Sequence, residues 1–313
     1  MKKPLVSIVI PTRNGGDTLP SLFESVSRQR VPFPYEVVVV DSGSTDGSLA
    51  LIHRCADRVI EISPASFDHG LTRNLGVDQA HGELVVLLVQ DAVPFDDSWL
   101  SELTAPLLSH ANVAGAFARQ RPRPDASAIT RYYHDRWLAS MDAERVVAVV
   151  DAGEFDALPP MDRFLKCAFD NVCSCIRRSV WERHPFRSTP IAEDLEWARE
   201  VLLAGHRLVY APRAVVIHSH DRPARYEFAR TYLLHRRLYE LFELRTIPSV
   251  VSLARAVAVS AALHLRCETA RKGARALAGI PRALALALAW PFGQYCGGLS
   301  AARGWRQLRS RTV

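Results

Sequence analysis

Apolar residues in the first half of the chain fall into short continuous runs separated by stretches of helical spacing. Residues 6–10 form a compact β-branched run, residues 36–40 a second built on four consecutive valines, and residues 83–89 a third. Such runs, without polar alternation, suit strands buried on both faces of a sheet. Weaker runs over 58–62 and 113–117 extend the series. Between them, residues 19–29 put Leu22, Phe23 and Val26 on one side of a helix, and residues 48–55, 72–80 and 99–108 read as further helices. Strands alternating with helices predict an α/β fold with a mostly parallel central sheet flanked by helices.

The pattern loosens over residues 119–162, where Arg121-Pro122-Arg123-Pro124 is a turn or extended piece and Tyr132, Tyr133 and Trp137 mark an amphipathic helix. Residues 194–203 read as a helix with Leu195, Ala198 and Leu202 facing inward, and residues 206–210 and 214–217 as two short strands. The remainder is helical over 224–242, 249–265 and 271–290, with a break expected at Pro281. The expected division is a catalytic domain over residues 1–221 and a C-terminal helical region over 222–313.

Ligands of open parallel sheets bind beyond the carboxyl ends of the strands. Three polar loops fall at such ends: Pro11-Thr12-Arg13-Asn14, the turn from Asp41 to Asp46 and Gly47, and Gln90-Asp91. The second also reads as a capped helix entry, but three such loops on one edge favour a site. Their glycines spell neither the dinucleotide fingerprint nor a phosphate-binding loop ending in Gly-Lys-Ser/Thr. Asp91 stands where Mg2+ or Mn2+ would join a diphosphate, although one acid at a strand end is also an ordinary helix cap.

Glu193 and Asp194 open a helix, whose terminus favours ionised carboxylates. Burial or a second carboxylate would raise the pKa instead. Asp194 is the choice for a general base, with Glu193 and Trp197 on the acceptor side and Leu195 beside them. In His218-Ser219-His220 the strand period of two turns both imidazoles to one side, where they would meet metal or diphosphate; the alternative is an incidental pair. Near His69, Arg73 is a partner for phosphate or for an acid at the sheet edge.

At 313 residues the chain fits one or two domains, and 48% hydrophobic with 23% charged residues describes a globular protein. The net charge of +6 is unevenly placed: from Arg266 onward there are nine Arg or Lys residues and one acid, Glu268. This basic, Leu/Ala-rich tail predicts contact with an anionic membrane surface; packing inside the protein and a homo-oligomer contact are the alternatives. It lacks the helix-turn-helix, zinc or aromatic platform of a nucleic-acid binder. Six cysteines in a chain this long make no disulfide scaffold. No secretory signal pattern opens the chain, and no uninterrupted apolar run reaches the ~18 residues of a spanning helix. The expected location is cytoplasmic, peripheral on the cytoplasmic face of the cell membrane.

Together these motifs resemble the inverting family-two glycosyltransferases of the GT-A fold, in particular their rhamnosyltransferase-like branch, over residues 6–220. Pro11-Thr12-Arg13-Asn14 resembles the nucleotide-side loop. Asp41 through Gly47 resembles the Asp-x-x-Ser-x-Asp-Gly segment, which would set Asp41 at the base and Asp46 at the ribose. Phe67-Asp68-His69-Gly70 with Thr72-Arg73-Asn74 and Gly76 resembles the donor-binding segment, implying donor contacts for His69, Arg73 and Asn74. Gln90-Asp91-Ala92-Val93-Pro94 resembles the branch's form of the Asp-x-Asp metal motif, with Val93 where a second acid would stand, so His218 or His220 would complete the site. The stretch around Glu193-Asp194 resembles the acceptor-side Glu-Asp motif, whose Asp is the catalytic base. Gly293-Gln294-Tyr295 with Gly297-Gly298 is similar to a tail segment of the branch.

The resemblance implies direct displacement at the anomeric carbon, with one sugar moved per visit because the processive Gln-x-x-Arg-Trp motif is missing. The expected donor is dTDP-rhamnose, with UDP- or GDP-sugars as alternatives, and the expected acceptor a glycan hydroxyl, polyprenyl-diphosphate-linked in many relatives. A noncatalytic sugar-nucleotide-binding assembly protein is the competing reading; it would keep Asp41 and Asp46 and tolerate loss of Asp194.

Overall fold

A computed structural model describes residues 3–270 and 274–305. The first half runs β1 (Val6–Thr12), α1 (Leu19–Ser27), β2 (Tyr35–Asp41), α2 (Ser48–Cys55), β3 (Arg58–Glu61), α3 (His69–Gln79), β4 (Leu84–Leu88) and β5 (Val93–Pro94). Next come α4 (Trp99–Ser109), β6 (Val113–Arg121), α5 (Ala128–His134), β7 (Arg145–Val147), α6 (Ala152–Ala157) and α7 (Pro160–Lys166). The chain continues through β8 (Cys173–Arg177), α8 (Arg178–Trp181), α9 (Glu193–Leu203) and β9 (Arg207–Ile217). It closes with α10 (Ala224–Phe242), α11 (Val250–Thr269) and α12 (Ala274–Ala302).

The strands form one sheet in the order β3-β2-β1-β4-β8-β6-β9-β5, with β7 paired to β9. Its left half, β3-β2-β1-β4, is parallel as the valine-rich runs predict; β1, β2 and β4 are largely buried, while the edge strand β3 is partly exposed. The right half is mixed. β8 lies antiparallel between β4 and β6, and β6 is parallel to β9. The fold is α/β and GT-A-like, with a mixed, largely parallel sheet and a C-terminal helical extension.

The antiparallel insertion decides what gathers at the carboxyl edge. In register, the last residue of β4, Leu88, faces the first of β8, Cys173, and Arg121 at the end of β6 faces Ile217 at the end of β9. The loop before β8 and the chain leaving β9 therefore open on the edge where β1, β2 and β4 end. Cys173 and Cys175 are fully enclosed core residues, and burial pushes both thiols well above their usual pKa. The six cysteines form no disulfide. The two strands expected over 206–217 are one strand, β9, whose register shifts where Ala118 and Arg119 of β6 face Ala211 and Val215.

Two compact units divide the chain: residues 1–123, 136–157 and 166–218 carry the sheet, and residues 124–135, 158–165 and 219–313 carry the C-terminal helices. In the second unit α12 runs through Pro281 and Pro291 without the expected break. A proline in a helix interior costs ~3 kcal/mol, offset here as α12 buries Ala283, Leu286, Ala287 and Ala289 while packing on α10 and α11. Helix α11 is a surface helix, and among the described residues it is the one helix long and apolar enough to cross a membrane. Only 11% of its apolar window is buried, with Arg255 and His264 interrupting the run. Part of the basic tail, including Arg271, Lys272, Arg306, Arg309 and Arg311, lies outside the described residues.

Candidate active site

Three loops at the carboxyl edge are stitched together by side chains. The Asp41 carboxylate accepts from Thr12 Oγ1 at 3.0 Å, Ser44 Oγ at 2.5 Å, and the amides of Gly43 at 3.0 Å and Ser44 at 2.8 Å. These four donors fill a carboxylate's ~four lone-pair sites, so Asp41 anchors its loop. Asp46 is exposed and accepts from Gly16 N at 2.9 Å and Ser48 N at 3.0 Å. These bonds, the Ser48 hydroxyl first, hold its pKa below the usual carboxylate range. Asn14, in the left-handed region at φ 49°, receives Thr45 N on its Oδ1 at 2.8 Å and donates its own amide to Ser44 Oγ at 2.8 Å. Gln90 exchanges two bonds with the Arg13 backbone, at 2.8 and 3.0 Å. The strand-end loops around Pro11, Asp41 and Gln90 thus form one rigid rim.

Beside this rim stands Asp91, whose carbonyl accepts from Arg123 at 2.8 Å. Its Oδ1 lies 3.8 Å from Nε2 of His218. His220 follows two residues along the chain, and one ligand atom each from Asp91, His218 and His220 lies within 4.8 Å of the others. An acid with imidazoles fits a divalent cation tolerant of nitrogen, which favours Mn2+ over Mg2+.

The acid pair opens α9 as expected, immediately after Ala192, which adopts a left-handed φ of 64°. Such a conformation in a residue with a Cβ costs ~1–2 kcal/mol and turns the chain sharply into the helix. Asp194 retains some accessible surface, but its carboxyl is closely surrounded by protein. Burial first, then the charges of Glu193 and Asp170, raises its pKa well above the ordinary aspartate value. Leu195 N at 2.8 Å and Asn171 N at 3.3 Å donate to it. Glu193 is buried and paired with Arg73 at 3.0 Å.

Arg73 also donates to the carbonyl of His69 at 2.8 Å. Burial, with the nearby Arg73 charge, lowers the pKa of His69 against the opposing pull of Glu193. The amide of Asn74 is occupied inside the protein: it donates to Phe186 O at 2.7 Å and accepts from Trp181 Nε1 at 2.8 Å and Phe186 N at 3.1 Å. Trp197 is buried between Phe169 and Phe186, its indole N–H on His184 O at 2.9 Å.

Asp170, Asn171 and Gln120 complete the arrangement and were not singled out in the sequence. Asn171 donates its side-chain amide to Glu193 at 3.4 Å and its backbone amide to Asp194. Gln120 bonds Asp170 at 2.6 Å on one side and His218 at 3.0 Å on the other. One signal existed: Asp170-Asn171 directly precede a short apolar stretch around the two cysteines, as Gln90-Asp91 directly follow one.

The family model described as glycosyl transferase family 2 matches residues 7–153. The O-antigen chain rhamnosyltransferase RfbN of Salmonella typhimurium is 28% identical over 232 residues, 72% of this chain and 70% of that protein. The O-antigen chain rhamnosyltransferase WbaN of Salmonella anatum is 29% identical over 233 residues, 73% and 70% of the two chains. In architecture the chain is similar to a mannosyltransferase from Pyrobaculum calidifontis in complex with GDP-Man and Mn2+, with a TM-score of 0.59 at 18% identity, covering 96% of this chain and 88% of that one.

Proposed function

We propose that this chain is an inverting family-2 glycosyltransferase that moves one L-rhamnose from dTDP-rhamnose to a hydroxyl of a polyprenyl-diphosphate-linked glycan, with Asp194 as general base; the family match over residues 7–153 and the GT-A-like fold support this reading. The observation that carries the role of Asp194 is its carboxyl, enclosed between Glu193 and Asp170 with its pKa raised well above the ordinary value. A carboxylate so placed is a stronger base than one in water. The rhamnose reading draws support from the two O-antigen rhamnosyltransferases, which match this chain over more than two thirds of their length.

In this mechanism the rim of Thr12, Arg13, Asn14, Asp41 and Asp46 receives the nucleotide. Asp41 acts through the loop it holds, whereas Asp46 is exposed to the ribose side. Asp91 and His218, with His220, would hold a divalent cation, which would supply charge neutralisation for the departing diphosphate. Glu193, paired with Arg73, adds to the field that raises the pKa of Asp194. Asp194 takes the proton of the acceptor hydroxyl as the oxygen attacks the anomeric carbon opposite the nucleotide, so the configuration inverts and no sugar-enzyme bond forms.

We further propose a peripheral position on the cytoplasmic face of the membrane. The surface of α11 supports it: Val251 and Val259 are 81% and 60% exposed, Arg255 and Arg266 are exposed, and its one acid, Glu268, is buried. Apolar residues flanked by cations and clear of exposed acids suit an anionic bilayer.

A donor panel of dTDP-rhamnose, UDP- and GDP-sugars with Mn2+ and a lipid-linked acceptor, scored for glycosylated product by mass, tests the reaction. Transfer from dTDP-rhamnose above the others is expected, and preference for another sugar nucleotide overturns the donor. Asp194→Asn is expected to lower transfer by about 10²–10⁴-fold while leaving donor affinity within a few fold. Unchanged transfer removes Asp194 from the mechanism.

A further inference from the structure

Gln120, next to last in β6, stands between two groups with separate assignments, and it is 6% exposed. Its Nε2 lies 2.6 Å from Asp170 Oδ2, and its Oε1 lies 3.0 Å from His218 Nδ1. Asp170 Oδ1 accepts from Val172 N at 2.9 Å, so both its oxygens take a donor, as an ionised carboxylate does.

The chemistry of these partners leaves one arrangement. A carboxylate only accepts, so the amide must present its NH2 to Asp170. That turns its carbonyl oxygen toward the imidazole. An amide oxygen also only accepts, so Nδ1 of His218 must carry the proton. In neutral His218 the lone pair then sits on Nε2, the atom 3.8 Å from Asp91 Oδ1.

We propose that Gln120 is the positioning residue of the cation site: held by Asp170, it fixes His218 as the Nδ1–H tautomer and aims Nε2 into the space shared with Asp91. The proposal rests on the reading of Asp91 and His218 as cation ligands. It also joins that site to the base region through one side chain, because Asp170 is among the charges acting on Asp194.

Two substitutions divide the two ends of the amide. Gln120→Leu removes both bonds. Gln120→Glu keeps an oxygen acceptor for Nδ1–H but loses the donor to Asp170. The first readout is the pair of His218 imidazole ¹⁵N shifts in metal-free full-length protein, assigned with His218→Gln. In the wild type and in Gln120→Glu, Nδ1 is expected to be protonated and Nε2 bare; Gln120→Leu is expected to populate the opposite tautomer. The second readout is the Mn2+ Kd by calorimetry without donor or acceptor. It is expected to weaken by about 10–100-fold in Gln120→Leu, the usual cost of losing an outer-shell partner, and to stay within a few fold in Gln120→Glu. A purely structural Gln120 would lower the Tm of both variants without moving the tautomer, and that result overturns the proposal, as does a wild-type His218 protonated at Nε2. If the wild type binds no Mn2+, the cation reading fails, while the ¹⁵N shifts still decide whether Gln120 sets the tautomer.

Discussion

Asp194 concentrates the site's electrostatic cost in one carboxyl. Its raised pKa means that it stays protonated at a pH where an ordinary aspartate has ionised. The proposed base works only when ionised, so kcat/KM is expected to climb with pH through that raised value, its acid limb displaced upward from the usual range near ~4. Asp170→Asn removes one of the charges responsible and is expected to move the limb down; an unmoved limb would show that Asp170 does not act on the base. The same shift has a stability consequence of fixed sign. A carboxyl whose folded pKa is raised contributes stability that is complete below its unfolded pKa and is lost as pH rises through the folded one. Melting curves across that window are therefore expected to move in favour of Asp194→Asn as pH increases, and a constant difference would contradict the assigned direction.

At the scale of elements, glycines mark where two backbones come too close for a side chain. Gly70, in the first turn of α3, would put a Cβ 2.1 Å from the carbonyl oxygen of Arg187, on the segment leading to α9. That contact seats the start of α3 against the segment that precedes α9. In α12, Gly297 would put a Cβ 2.2 Å from the carbonyl oxygen of Tyr232 in α10. The Gly-rich tail motif read in the sequence thus has a packing cause. Gly297→Ala forces the helices apart and is expected to cost about 1–3 kcal/mol in chemical denaturation. A variant as stable as the wild type would mean that α12 shifts along α10 without loss.

For the molecule as a whole, the sheet unit carries the strand-end rim, Asp91, His218 and the acid pair, and the helical unit carries the exposed surface of α11. Vesicle sedimentation tests what that surface does. Wild-type protein is expected to pellet with anionic vesicles, less so as salt rises, and Val251→Glu with Val259→Glu is expected to abolish pelleting while donor turnover with a soluble acceptor persists. Equal pelleting of the double variant would exclude α11 as the contact.

Much of the first half was legible because its signals are short in range. A run of four valines makes a buried strand wherever it stands, Asp and Gly at its end make a turn, and α2 and α10 lie over the residues their periodicity marks. The rim of Thr12, Asn14, Asp41 and Asp46, and the acids at the start of α9, could therefore be named from the chain alone. The rest depends on pairing between distant segments. Cys173–Arg177 reads as a cysteine pattern until it lies between β4 and β6, some ninety and sixty residues earlier in the chain. That insertion turns its leading end toward the site and brings Asp170 and Asn171 to the acid pair. Arg73 and Glu193 form an ion pair only once α3 and the start of α9 lie together. Gln120 is an unremarked polar residue in sequence, because a hydrogen bond to Asp170, fifty residues away, and another to His218, ninety-eight away, exist only once the sheet has closed. The local alphabet specified strands, turns and the polar rim at the strand ends, while long-range strand order chose which carboxylates meet and so which of them has its pKa raised.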